Sequence, residues 1–247
     1  MVELAAIDLD YIEFLAQRRG VPSEVVRRQY AAVKERFGFA GREYRRLMTQ
    51  THDLFAPVYG EDSEEELISS LQFHAALHVY RHISYDYWKV SVYAKQAKRI
   101  VKAAGPGPLV ILDYGAGLGH LSSIIARIRP GTRVYLLDVD SLVLDFAEFR
   151  FRKAGLNFES VRVTRECVYP ELPEHNICIA TEVWEHLKRP LVAYKNVCRS
   201  LVRGGLLVGK ICDHSKEFFH VSPRLGDLKA RLAVDFEKVT RGIHRKR

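Results

Sequence analysis

The chain has 247 residues, 47% of them hydrophobic and 28% charged. That is the length of one domain with an appendage and the composition of an ordinary globular protein, too long for a minimal module. No apolar run approaches a membrane span, and the first residues, MVELAAIDLDYIEF, lack the basic and apolar regions of a secretion signal, so a soluble cytoplasmic protein is expected. The formal charge of +8 permits an anionic partner such as RNA without demanding one, because Lys and Arg are spread along the chain rather than gathered in a basic run with interleaved aromatics.

Residues 1–104 read as helical throughout. Leu9, Ile12 and Leu15 give a first helix over Leu4 to Arg19, ended by Gly20, and Pro22-Ser23 starts a second that runs to about Phe37. A third is predicted over Arg42 to Thr51. A fourth begins at Asp62, with Glu65 completing a capping box, and ends near Ile83; a fifth covers Tyr85 to Ala104. His74, His78 and His82 recur at intervals of four, followed by Tyr85, Tyr87 and Trp88. Histidines one turn apart can share a metal, but three successive fours drift around a helix and no acid lies beside them, so no metal is expected.

Pro106-Gly107-Pro108 delivers the chain into a short apolar run, Leu109 to Leu112, which is the pattern of a strand buried on both faces of a parallel sheet. Gly115, Gly117 and Gly119 alternate through the following turn. His120 to Ile128 is helical in period, and Arg133 to Leu137 is a second strand closing on Asp138. In such a β-α-β unit the turn aims a helix N-terminus at a ligand, and an acid ending the second strand can accept hydrogen bonds from ribose hydroxyls. Tight glycine turns also serve packing alone. Asp113, just before the glycines, would repel a pyrophosphate but suits a cationic ligand.

Further on, Ser141 to Ala154 is an amphipathic helix, Ser160 to Thr164 a third strand, and Arg165-Glu166-Cys167 a loop. His175 to Thr181 is a fourth strand that runs into Glu182-Val183-Trp184-Glu185-His186-Leu187. Leu191 to Leu201 is a helix, Arg203-Gly204-Gly205 a turn, and Leu206 to Cys212 a fifth strand. A loop with His214 and His220 follows, then a helix from Pro223 to Val234, a strand from Phe236 to Thr240, and a very short last strand after Arg241-Gly242. The cysteines, Cys167, Cys178, Cys198 and Cys212, have no C-x-x-C spacing and read as reduced thiols.

Asp113-Tyr114-Gly115-Ala116-Gly117-Leu118-Gly119 resembles the first motif of the class I S-adenosylmethionine (SAM)-dependent methyltransferases, and Glu182 to Leu187 resembles the E-V-x-E-H-L run of the ubiquinone-biosynthesis-like and small-RNA 2′-O-methyltransferases. Asn176 departs from that run, which usually carries Asp there. The resemblance implies an α/β fold, a doubly wound and mainly parallel Rossmann-like sheet over 105–247, with residues 1–104 as a helical substrate lid. It implies SAM as cofactor, with Asp113, Gly115, Ala116, Gly117 and Gly119 on the methionine portion and Asp138 and Val139 at the ribose. Glu166 and Cys167 would lie at the adenine, and Thr181 and Glu182 at the end of the fourth strand.

His78, Tyr85, Tyr87 and Trp88 are candidate acceptor-binding residues, and His186, His214 and His220 candidate bases, since imidazole titrates near neutral pH. The expected reaction is methylation of a small metabolite; an RNA acceptor, or a non-catalytic nucleotide-binding module, is the alternative. If the segment after strand four turns helical, Glu182, Glu185 and His186 share a face and can hold a divalent ion. In the preferred metal-free version Glu185 faces solvent.

Overall fold

A computed structural model describes residues 4–37, 68, 75–211 and 225–247, with the side chains of 36–37, 75–78, 80–81 and 84–88 outside that description. Three helices precede the first strand among the described residues: α1 (Ala6–Arg19), α2 (Ser23–Phe37) and α3 (Ala75–Ala104). The sheet and its helices follow as β1 (Val110–Tyr114), α4 (His120–Ile128), β2 (Arg133–Val139), α5 (Leu142–Lys153), β3 (Asn157–Val163), β4 (His175–Ile179), α6 (Pro190–Ser200), β5 (Leu201–Val208), α7 (Leu225–Asp235), β6 (Phe236–Thr240) and β7 (Ile243–Lys246). The strand order is β3-β2-β1-β4-β5-β7-β6. β1 to β5 pair in parallel, whereas β7 runs antiparallel to both β5 and β6.

Successive residues of each strand point to opposite faces, and in the central strands β1, β2 and β4 both faces are largely buried and apolar, which is why these read as near-continuous runs. Ile111, Leu136 and Ile177 meet Ala97 and Ile100 of α3, Ile125 of α4 and Phe151 of α5. Leu112, Leu137 and Cys178 meet Ala193 and Val197 of α6 and Leu228 of α7 on the other face. The result is the doubly wound α/β sheet the sequence predicts. A third cluster joins Tyr11, Phe14, Val26 and Tyr30 of α1 and α2 to Val79 and Ile83 of α3 and Phe146 of α5.

Two local expectations are corrected. The predicted break between Ile83 and Tyr85 is absent, and α3 is a single helix of 30 residues. It contains no Gly or Pro, and the fully buried Val79, Ile83, Ala97 and Ile100 carry one apolar stripe through its length. The Arg203-Gly204-Gly205 turn, placed ahead of strand five, lies inside β5. His175 pairs with Leu201 but Ile177 with Leu206, so the glycines form a bulge and β5 starts earlier than its apolar run.

Asn176, where the resembled run has Asp, explains itself at this junction. Its Oδ1 accepts from the Val110 N–H at 2.9 Å and its Nδ2 donates to the Pro108 carbonyl at 2.9 Å. An aspartate could make the first bond only.

Candidate active site

In an open parallel sheet, ligands bind beyond the carboxyl ends of the strands where the strand order reverses. Here the chain leaves β1 for β2 on one side and later returns to β4 on the other. The glycine turn stands at that point and is suspended from β2. The Gly115 and Ala116 N–H groups donate to the Leu137 carbonyl at 2.8 and 3.0 Å. Asp138 grips the turn beside them: its Oδ2 accepts from Gly117 N–H at 2.6 Å and its Oδ1 from Val139 N–H at 2.7 Å. Burial raises the Asp138 pKa, and the two N–H bonds oppose that rise.

Asp113, at the end of β1, is buried and accepts from the Ser122 hydroxyl in the first turn of α4. Burial pushes its pKa up to about 7, the Ser122 bond lowers it, and the charge of Asp138 raises it further. A buried carboxylate, Asp113, and a half-buried one, Asp138, thus flank one turn.

Gly115 and Ala116 are accessible, whereas Gly117 and Gly119 are buried. The space left by all three missing side chains is taken by the protein itself, that of Gly119 by Phe151, whose Cε2 lies 2.5 Å from where a Cβ would stand. A Cβ on Gly115 would lie 2.6 Å from Val183 Cγ2, and one on Gly117 2.8 Å from His82 Cε1; with φ of +69° and +54°, neither position tolerates another residue without strain. The accessible backbone of the turn is therefore narrower than the glycine spacing implied.

After β4, Thr181 and Glu182 are exposed, and Glu182 holds φ +56°, the one non-glycine residue with positive φ among the described residues. Such strain persists where surrounding structure enforces it and concentrates at ligand sites. Val183, Trp184 and Glu185 turn inward, with Trp184 stacked on Tyr114 at 6.0 Å. Trp184–His186 is one short 3-10 turn rather than an α-helix. Two expectations fail with it: Glu182, Glu185 and His186 do not share a helical face, and Glu185 is buried (1% exposed) rather than facing solvent. Among the described residues no group of three His, Cys, Asp or Glu is placed to hold a metal. His186 is half-buried at the ligand edge of the sheet.

Glu166 and Cys167 sit in an exposed loop after β3. Hydrogen bonds from the Glu166 backbone and the Thr164 side chain lower the Glu166 pKa, and Cys167 N–H donates to Thr164 Oγ1 at 3.2 Å. His214 and His220 lie outside the described residues, as do the side chains of His78, Tyr85, Tyr87 and Trp88.

A family model described as a methyltransferase domain matches residues 108–240. The chain belongs to that family. This methyltransferase-domain chain is 30% identical over 112 residues to a ubiquinone biosynthesis O-methyltransferase of Methylocella silvestris, covering 45% of this chain and 43% of that protein. It is 34% identical over 53 residues to ribosomal RNA small subunit methyltransferase C of Acinetobacter baylyi, 22% of this chain and 16% of that one. It spans less than half the length of either relative. The solved structure of LaPhzM has the same fold at a TM-score of 0.50 and 18% identity, over 95% of this chain and 87% of that one. The methyltransferase fold seen here is thus the Rossmann-like class I fold, with the helical N-terminal region included in the match.

Sequence reasoning missed Val183 and His82 as walls of the turn, and Ser122 as the partner of Asp113. His82 belonged to the visible histidine stripe, yet the stripe alone does not say which histidine meets the turn. The i, i+3, i+4 spacing of the stripe's neighbours is satisfied by any rotation of the helix. Only the packing of α3 against α4 and α5 fixes it.

Proposed function

We propose that this chain transfers a methyl group from SAM to a small-molecule acceptor in the cytoplasm. The observation that carries the reading is the glycine turn held between the Leu137 carbonyl and the Asp138 carboxylate at the reversal point of the sheet. The site fits SAM: backbone of Gly115 and Ala116 is accessible, Asp138 retains lone pairs for ribose hydroxyls, and the two neighbouring acids, Asp113 and Asp138, favour a cation. Val139 would lie beside the ribose, Glu166 and Cys167 beside the adenine, and Thr181 and Glu182 at the opposite rim. When bound, SAM supplies a methyl group on a sulfonium, and an O–H or N–H acceptor that takes it gives up a proton.

Resemblance over 112 residues to a protein named for ubiquinone biosynthesis supports a small acceptor. Residues 1–104 would form the acceptor lid, with His78, Tyr85, Tyr87 and Trp88 on its inner wall, and residues 105–247 the SAM-binding domain. His186 would accept the acceptor's proton without a metal, with His214 and His220 in the loop after β5 as further bases. Holding acceptor and cofactor in line accounts for much of the rate in such a reaction, and excluding water for part of the remainder. Three free cysteines among the described residues, Cys167, Cys178 and Cys198, support a reducing compartment.

Calorimetry with SAM, S-adenosylhomocysteine and NAD tests the reading. Micromolar binding of the first two and none of NAD is expected; NAD binding without SAM binding would sink it. Turnover on an RNA whose affinity falls steeply with salt would move the acceptor from small molecule to RNA.

A further inference from the structure

We infer that His82 of α3 binds the amino-acid end of the cofactor, its ring N–H donating to the ligand carboxylate. This rests on the proposed SAM binding. Three ring atoms of His82 approach the position a Gly117 Cβ would occupy: Cε1 at 2.8 Å, Nδ1 at 3.2 Å and Nε2 at 3.4 Å. The imidazole therefore meets the turn with the edge that carries both nitrogens. Gly117 is buried beneath it, and the accessible backbone, Gly115 and Ala116, begins one residue away. His82 itself stays half-exposed.

The hydrogen-bond inventory of the turn says why such a donor is needed. The Gly115 and Ala116 N–H groups are committed to Leu137 O, that of Gly117 to Asp138 Oδ2, and that of Gly119 to Ala116 O at 2.8 Å. Asp113 and Asp138 are acceptors when ionised and repel an anion. A ligand bearing a carboxylate beside this turn thus finds these four N–H groups occupied and two acids close by, which favours a bond from a side-chain donor. Among the described residues, His82 brings its ring nitrogens over Gly117, while Arg150 Nη1 donates to the Leu118 carbonyl of the same turn at 2.8 Å. The ammonium of the same ligand would be served by Asp113, with Asp138 kept for the ribose hydroxyls.

Calorimetry on wild type, His82→Ala, His82→Phe and His82→Gln separates this from packing. The probes are S-adenosylhomocysteine, which has the amino-acid end, and 5′-methylthioadenosine, which has the nucleoside without it. Expected for His82→Ala and His82→Phe is at least a tenfold weaker Kd for S-adenosylhomocysteine with methylthioadenosine within twofold of wild type. His82→Gln, which keeps a donor, should recover part of the loss. His82→Phe fills the ring's space, so it reports on the donor even if His82→Ala fails to fold. Equal weakening of both ligands, or unchanged S-adenosylhomocysteine binding in His82→Phe, overturns the inference. A wild-type protein that binds neither ligand overturns the SAM reading and this inference with it.

Discussion

Aspartates in two regions of the molecule carry opposite electrostatics. In the N-terminal layer, Asp8 is fully buried and accepts from Lys34 Nζ at 3.0 Å, Tyr30 hydroxyl at 2.7 Å and Ala5 N–H at 2.7 Å. Its charge is matched within the fold, and it locks α1 to α2 where Tyr11 and Phe14 pack on Phe146. At the ligand edge of the sheet, Asp113 and Asp138 have hydroxyl and backbone donors but no cation among the described residues, and burial raises both pKa values. A buried acid with its own cation is part of the architecture; a pair without one is poised for a positive ligand.

The largest blow to the ligand edge should come from Asp138→Ala. It removes two charged acceptors for ribose and leaves the Gly117 N–H without its bond, roughly 1.5–3 kcal/mol for each charged bond. SAM affinity should fall at least a hundredfold by calorimetry; a change under threefold would place the ribose elsewhere. The mirror experiment, Asp8→Ala, strips Lys34 and Tyr30 of their buried acceptor and should cost about 3–5 kcal/mol of folding stability in denaturant titration. The SAM Kd of the folded fraction should hardly move.

Asp113 should leave a signature in the pH dependence of stability. With its folded pKa raised to about 7, it binds more protons folded than unfolded between about pH 4 and 7, so stability falls as pH rises through that window, by up to about 4 kcal/mol. Asp113→Asn should flatten the profile, and a persisting slope would assign it to other groups. Because a cation favours the ionised acid, SAM affinity should climb through the same interval in which stability drops. The smallest effect belongs to the outer seam of the N-terminal layer. Lys153 bonds Asp10 at 2.8 Å and Glu13 at 2.5 Å but is 44% exposed, so Lys153→Ala should cost no more than about 1 kcal/mol in thermal melts.

Much of the sheet was legible because its signals are local. Double-faced apolar runs mark β1 and β2, and His120 to Ile128 is a helix over the very residues its periodicity indicates. Asp138 could be placed beside the glycines because a strand-turn-helix-strand unit leaves little freedom. What stayed hidden depends on distant partners. The continuity of α3 is set by Val79 and Ile83 packing on other helices, the bulge at Gly204-Gly205 by the pairing of β4 with β5, and the burial of Glu185 by the inward turn around Trp184. A histidine stripe, a glycine pair and a single glutamate look alike whether they face solvent or another chain segment.

The last described strand, β7, has a consequence for how the protein is made. It lies between β5 and β6, so the side of β5 away from β4 stays unpaired until residues 243–246 arrive, although β1 to β5 can already be in register. On a ribosome that late arrival leaves a nearly finished sheet with an open, apolar edge, the form most prone to recruit a strand from a neighbouring nascent chain. Lys246 closes the gap by donating to the Cys198 and Leu201 carbonyls at 2.5 Å each, and Arg245 by donating to Gly204 and Ala103 carbonyls at 3.0 and 2.8 Å. Yield during synthesis should accordingly depend on a handful of late residues far from any ligand.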